Sequence, residues 1–367
     1  VTGASHLYLH LPFCSSRCGY CDFVTVVGHF DEHGSYVGAL LAELELERHR
    51  LAAPLATIYL GGGTPTLLQP AELARLLAAL PPCDELTVEA NPETVTPAVA
   101  ALLHDAGVDR ISLGAQTFQP DLLRTLDRVA SPDDVRRAFR LLRAAGFDNI
   151  SLDLIYGIPG QAAAALERDL AEVLSLAPEH VSAYELEAKP GTRFTHAHGD
   201  ELTRQAATME TYFELVVGRL TAAGYRWYET ANFCRSADDR DLRAQHNLGY
   251  WLGHDYLGLG VGAVSTIEGS RWRNAPSLGR YLVALGRGER PPRRDEELTP
   301  AMQQTERLML GLRLDRPLAF DGIDELLDDR EVERLAGLGL VVRDGGALAL
   351  TERGRFLGGG VTARLLA

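Results

Sequence analysis

The chain has 367 residues, 46% of them apolar, which suffices for one large domain and a smaller one. Its 36 basic against 50 acidic residues leave a net charge of −14, which argues against a polyanion as the main partner because phosphate binding takes concentrated Lys and Arg. No apolar run approaches the roughly 20 residues of a membrane span, and the opening residues lack the basic end and apolar stretch of a secretory signal. A cytoplasmic location is expected.

In chain order, β-rich runs occupy His6–Leu11, Thr57–Leu60, Leu86–Ala90, Arg110–Gly114, Asn149–Tyr156 and Val181–Leu186. Between them, Gly34–Ala53, Pro70–Leu80, Pro97–Ala106, Ser131–Ala145 and Ala162–Leu176 have helical apolar spacing, several opening on Pro or Ser. Alternating strand and helix predicts parallel strands with right-handed crossovers, as a partial barrel or an open α/β sheet. Ligand-binding residues then belong at the C-terminal strand ends. Cys14, Gly61–Thr64, Glu89, Asn91 and Gln116 fall there, with Asp153 inside the fifth run.

Beyond the barrel, a long helix is expected around Leu202–Ala223, an aromatic strand at Tyr225–Tyr228 and a Gly-rich stretch at Leu257–Gly262. Arg287–Glu297, rich in Pro and charge, reads as a linker. The tail from Thr299 predicts three helices and a strand pair, Leu340–Arg343 and Ala347–Leu350, joined by Asp344-Gly345-Gly346. That is a winged-helix-like pattern, read as a packing module; Arg353 and Arg355 make only a thin basic face for nucleic acid. The expected division is 1–188, a partial barrel; 189–290, its completion; and 291–367, the C-terminal module.

Three of the five cysteines crowd into Cys14-Ser-Ser-Arg-Cys18-Gly-Tyr-Cys21, while Cys83 and Cys234 stand alone as incidental thiols. A disulfide framework would be even and dispersed. Three thiolates in a tight loop can hold three irons of a [4Fe–4S] cubane and leave the fourth open. The amino and carboxylate groups of S-adenosylmethionine (SAM) can chelate that iron, and an electron from the cluster can then cleave the sulfonium. The rival is a zinc site with His10 or His6, but zinc sites favour two spaced ligand pairs and no second pair is present. Gly61-Gly62-Gly63-Thr64-Pro65-Thr66 reads as a cradle whose bare backbone N–H groups admit the methionine end of SAM, or simply as a turn.

Taken with Tyr8-Leu-His10-Leu-Pro-Phe-Cys14, Val88-Glu89-Ala90-Asn91-Pro92, Gly114-Ala-Gln116-Thr-Phe118 and Asp153-Leu-Ile-Tyr156-Gly157-Ile-Pro159-Gly160, these motifs resemble the radical SAM family containing oxygen-independent coproporphyrinogen III oxidase and its heme-chaperone relatives. The resemblance implies a partial (β/α)6 barrel and a smaller α+β C-terminal region. It implies that Tyr8 and Tyr20 flank the cofactor and cluster, that Gly62, Gly63 and Thr64 meet the methionyl group, and that Glu89, Gln116, Arg128 and Asp153 make polar contacts to SAM. The family usually has Gly before the Arg and His two positions after it; here those are Asp127 and Ala130.

Three features separate the two branches. The oxidases carry a fourth cysteine two positions after the third, where Phe23 stands here, and an N-terminal extension, where only thirteen residues precede Cys14. The chaperone branch carries a His-Asn-x-x-Tyr-Trp signature, met at His246-Asn247-Leu248-Gly249-Tyr250-Trp251. His is a natural axial ligand for heme iron and aromatic rings can lie against the macrocycle. His246, Tyr250 and Trp251 are therefore expected heme contacts; the bland reading is a packed helix. The resemblance implies a chaperone passing heme to an acceptor hemoprotein, such as a respiratory one at the membrane. The alternative is the decarboxylating oxidase. A radical enzyme acting on nucleic acid is a third, remote reading.

Overall fold

The computed structural model describes residues 3–187, 193–323 and 326–366. The expected boundary at 188/189 lies outside the described residues. Six parallel strands form the centre: β1 (His6–Leu11), β2 (Leu55–Gly62), β3 (Cys83–Ala90), β4 (Arg110–Gln116), β5 (Ile150–Tyr156) and β6 (His180–Glu185). The helices α1 (His33–Glu47), α2 (Pro70–Ala78), α3 (Pro97–Asp105), α4 (Pro120–Thr125), α5 (Pro132–Ala145) and α6 (Ala163–Leu176) lie on the crossovers.

The strands alternate with period two, and the polar face is the inner one. Tyr59 of β2, Glu89 of β3, Arg110 and Ser112 of β4, Asp153 of β5 and Ser182 of β6 look into the barrel. Leu7, Leu9, Ile58, Leu60, Val88, Ile111, Leu113, Leu152 and Val181 pack outward in the main core under the helices. Local signals start and stop the helices. Pro stands in the first turn of α2, α3, α4 and α5, where no donor is lost. Helix α5 opens on a reciprocal Ser131–Asp134 capping box and closes on Gly146, at φ +107°.

The expected long helix is two, α7 (Arg193–Gln205) and α8 (Met209–Ala222), broken by a tight turn at Ala206–Thr208. Next come β7 (Arg226–Trp227), β8 (Asn232–Cys234), α9 (Gln245–Trp251), β9 (Tyr256–Leu259), β10 (Val264–Ile267), β11 (Ser270–Asn274), α10 (Leu278–Gly286) and β12 (Arg293–Glu297). All these strands extend the same sheet, whose 12-strand order among the described residues is β12-β11-β10-β9-β1-β2-β3-β4-β5-β6-β8-β7. The segment expected as a linker is thus in part an edge strand. Its Arg-Arg-Asp-Glu-Glu sequence hid it, yet charge suits an edge that must not pair further. Buried Glu43 of α1 ties the extension to the barrel, accepting from the Gly260 N–H at 2.8 Å, Asn274 at 2.7 Å and the Tyr281 hydroxyl at 2.6 Å.

The tail has its own core of Leu308, Ile323, Val332, Leu335, Leu348 and Val361. Among the described residues, α11 (Pro300–Gly311), β13 (Leu318–Ala319) and α12 (Asp329–Gly337) precede the hairpin of β14 (Val341–Asp344) and β15 (Ala347–Leu350). Then come α13 (Glu352–Phe356) and α14 (Gly358–Leu365). Gly345 and Gly346, at φ +54° and +89°, make the hairpin turn. Strand β13 adds a third strand, in the order β13-β15-β14.

Candidate functional site

The C-terminal strand ends open on a cavity of about 380 Å³. Cys14, Cys18 and Cys21 stand at it, half-buried and with free thiols. Thr64 directs its hydroxyl at the Cys14 sulfur (3.8 Å), and Arg128 its Nη1 at the Cys18 sulfur (3.7 Å). Burial pushes the Cys14 thiol up to about 11. Among the described residues no group of three or more His, Cys, Asp or Glu side chains closes to the spacing of a single metal ion. A cubane spreads its thiolates over separate irons and needs no such closure. The zinc alternative also lacks its histidines: both ring nitrogens of His10 are engaged, by the Tyr8 hydroxyl (3.0 Å) and the Val24 carbonyl (2.8 Å). Those of His6 are held by Thr57 (2.8 Å) and His254 (3.1 Å).

Of the residues expected around SAM, Tyr20, Gly62, Gly63, Glu89, Gln116, Arg128 and Asp153 line the cavity. Tyr8 and Thr64 do not. Tyr8 lies one layer deeper, its ring 6.2 Å from that of Tyr59, and Thr64 is buried behind Cys14. The glycine cradle needs a correction. The amide of Gly62 donates to Glu89 (3.0 Å), that of Gly63 to the Leu11 carbonyl (2.8 Å) and that of Thr64 to the Phe13 carbonyl (2.8 Å). None is bare. The glycines are demanded instead by close packing, since a Cβ on Gly63 would sit 2.6 Å from the Pro12 backbone and Gly62 holds φ +106°.

Glu89 accepts from the Tyr59 hydroxyl at 2.8 Å, and its burial pushes the carboxyl up to about 7. Asp153 accepts from Ser112 (3.0 Å) and Ser151 (3.2 Å) and is likewise raised by burial. Gln116 sits just after a register shift in β4, paired with Leu154, with φ +64°, and its side chain lines the cavity. Arg128 donates to Asn91 and to the Gly114 carbonyl, both at 2.9 Å, while its buried Nε has no partner. Asp127 holds φ +54°, which explains why a Gly suits that position and how Asp can deliver the same turn.

Tyr59, Ser112, Ser182, Arg110, Tyr184 and Asn247 also line the cavity, and the sequence reading passed over them. For those on strands the signal was present: polar residues recur at alternate positions of β2 to β6, inverted from the usual half-buried strand. Arg110 is 2% exposed, bonded to His180 at 3.3 Å, and its Nε has no partner.

The structure does not bring the expected heme contacts to one open face. His246 is 2% exposed, with Nδ1 on the Thr57 hydroxyl (2.6 Å) and Nε2 on the Tyr250 hydroxyl (2.9 Å). Burial pulls its pKa down to about 3. No ring nitrogen is left for an iron. Trp251 instead packs with Tyr228, Cys234, Leu242, Leu248 and Leu314, under the Arg313 guanidinium at 4.3 Å. The motif residue that reaches the cofactor cavity is Asn247. Burial raises the thiols of Cys83 and Cys234 to about 11, and Cys234 is 3% exposed.

A polar-lined partial barrel with three clustered thiols at its C-terminal mouth defines a radical SAM protein. Residues 8–173 match the radical SAM superfamily and residues 298–357 the HemN C-terminal domain. The heme chaperone HemW of Mycobacterium tuberculosis is 39% identical over 98% of this chain and 94% of its own length; that of Bacillus subtilis is 34% identical over 98% of each. The chain belongs to the HemW family. The structure of coproporphyrinogen III oxidase (HemN) from Escherichia coli superposes on 100% of this chain and 91% of its own, with a TM-score of 0.83 at 24% identity, a likeness of fold.

Proposed function

We propose that this chain is a cytoplasmic heme chaperone that binds heme, carries a [4Fe–4S] cluster with SAM, and delivers heme to acceptor hemoproteins, respiratory ones at the membrane among them. The observation that carries the reading is the likeness to curated heme chaperones along 98% of the chain. Phe23 supports it: the position of the oxidases' fourth cysteine holds a phenyl ring, 59% exposed, at the cavity. Among the described residues no helix is long and apolar enough to cross a membrane, which fits delivery to a membrane rather than residence in it.

Cys14, Cys18 and Cys21 would hold the cluster. When bound, cluster and SAM supply reductive cleavage of a sulfonium C–S bond. Arg128, with its unpartnered buried Nε, suits the cofactor's carboxylate; Glu89 and Asp153 suit its amino group and ribose hydroxyls. Tyr59 and Gly62 orient Glu89, and Ser112 and Ser151 orient Asp153.

The oxidase reading shares the fold and the cofactor cavity. Incubation of reconstituted protein with coproporphyrinogen III, SAM and a reductant separates the two. The chaperone gives no turnover yet binds heme at one per chain; vinyl-bearing product formed over many turnovers would overturn it.

A further inference from the structure

On the outer flank of β6, the C-terminal module and the barrel edge enclose a second cleft, of about 630 Å³. That is within the range of roughly 300–1,000 Å³ typical of organic cofactor sites. Its floor is aromatic: Trp227 of β7, Phe213 of α8 and Phe356 of α13 pack together with ring centroids 5.2–5.6 Å apart. Arg355, which the sequence offered as part of a basic surface, points inward instead. Its guanidinium lies 3.6 Å over the Trp227 ring, and its buried Nη2 has no hydrogen-bond partner. One wall is bare backbone. Gly358 and Gly359 line the cleft from the start of α14, and neither has the positive φ that would call for glycine. Glycine weakens a helix relative to Ala. A Cβ on Gly359 would meet nothing within 4 Å. Exposed Met309 at the rim supplies a thioether that can ligate iron, and Tyr184 and Glu185 line both this cleft and the cofactor cavity.

We propose that this cleft between the barrel edge and the C-terminal module is where heme is carried, its macrocycle between the aromatic floor and the bare α14 wall and a propionate on Arg355. The inference rests on the chaperone reading and assigns its cargo site. A rival cavity of about 760 Å³ at the opposite, N-terminal end of the strands offers His254, but Asp84, Glu85, Asp109, Asp148, Asp241 and Asp315 line it against Arg240, Arg243 and Arg316, and Arg240 and Arg243 are already paired with Asp148 and Asp241. The excess of carboxylates opposes the two propionates of heme. The cleft has Arg355 and Arg313, the latter paired with Glu229 at 3.2 Å, against Glu185 in its lining.

The test is titration of hemin into the full chain, followed by the Soret band, for wild type, Arg355→Met and Gly359→Leu. Arg355→Met removes the cation. Gly359→Leu fills open space and should fold, so it stands if the first variant does not. Each is expected to weaken heme binding at least tenfold while iron, sulfide and SAM binding stay at wild-type levels. Wild-type affinity in Gly359→Leu, or a Soret band lost in His254→Ala but kept in both cleft variants, overturns the placement alone. No heme binding by wild type overturns the chaperone reading and this inference together.

Discussion

Two polar regions share the inner face of the barrel and are built on opposite terms. At the mouth, bonding capacity is left over: the Arg128 Nε has no partner, and the Glu89 and Asp153 carboxylates look onto open space. Deeper and toward α9, little is left. His6, His10, His180 and His246 each have both ring nitrogens hydrogen-bonded, and burial lowers all four pKa values. A buried polar group with its bonds made is scaffold; one facing a cavity with bonds unmade awaits a ligand. Residue type alone does not separate them, since imidazole and carboxylate can both bind metals and cofactors.

The largest expected effect lies at the mouth. Cys18→Ser should abolish cluster assembly, because two thiolates cannot hold a cubane with an open iron. Iron and sulfide after anaerobic reconstitution should fall from about four each per chain to near zero. The far-ultraviolet circular dichroism should be unchanged. A full complement of iron and sulfide in this variant would erase the distinction drawn between the regions.

The inner layer should answer in stability instead. His246→Ala leaves the Tyr250 hydroxyl without this partner and Thr57 with His6 alone, and opens a void, a loss of about 2–4 kcal/mol in denaturant unfolding. Heme affinity should stay within about twofold of wild type, since each nitrogen is already engaged. The pH dependence has a definite sign. His6 and His246 have native pKa values pulled down to about 4 and about 3, from 6.5. As pH falls below 6.5 the unfolded chain takes up protons that the native chain refuses, so stability drops between 6.5 and about 4. His246→Ala should flatten that slope. A weakened Soret band with unchanged stability would instead return His246 to the heme.

Much of this was legible in the sequence. Strand β1 has the expected bounds, because parallel strands under helices keep a continuous apolar outer row. The thiols were legible from their spacing and Glu89 and Gln116 from their place at strand ends, whereas Asp153 lies inside its strand and Arg128, in a loop, came only from the resemblance. What escaped depends on the third dimension. Strand β12 is an edge whose charges mimic a linker, and β13 is two residues long, below any periodic signal. The period-two polar row of the inner face was readable but competed with the motifs for notice. The enclosure of His246 was not readable, because Thr57 lies 189 positions away. Arg355 turns inward for the same reason, its partner Trp227 being on the other side of the domain junction.

The smallest effect sharpens the contrast most, because the mouth carries the opposite pH sign. Burial raises Glu89 from 4.5 to about 7, so the native chain holds a proton that the unfolded chain has lost. Stability should therefore fall as pH rises from 4.5 to about 7, while the histidine layer gains over most of the same interval. Above about 7 the ionised carboxylate is an unfavourable charge until a cation meets it. SAM brings one. Its affinity should rise several-fold between about pH 6 and about pH 8, measured by equilibrium dialysis on the reconstituted protein. Glu89→Gln should flatten that rise. Without SAM the same substitution should stabilise the protein at about pH 8 and not at about pH 5; with saturating SAM it should destabilise. A Gln variant that loses stability equally at both pH values, with and without SAM, would make Glu89 another satisfied strut of the barrel and dissolve the difference between mouth and interior.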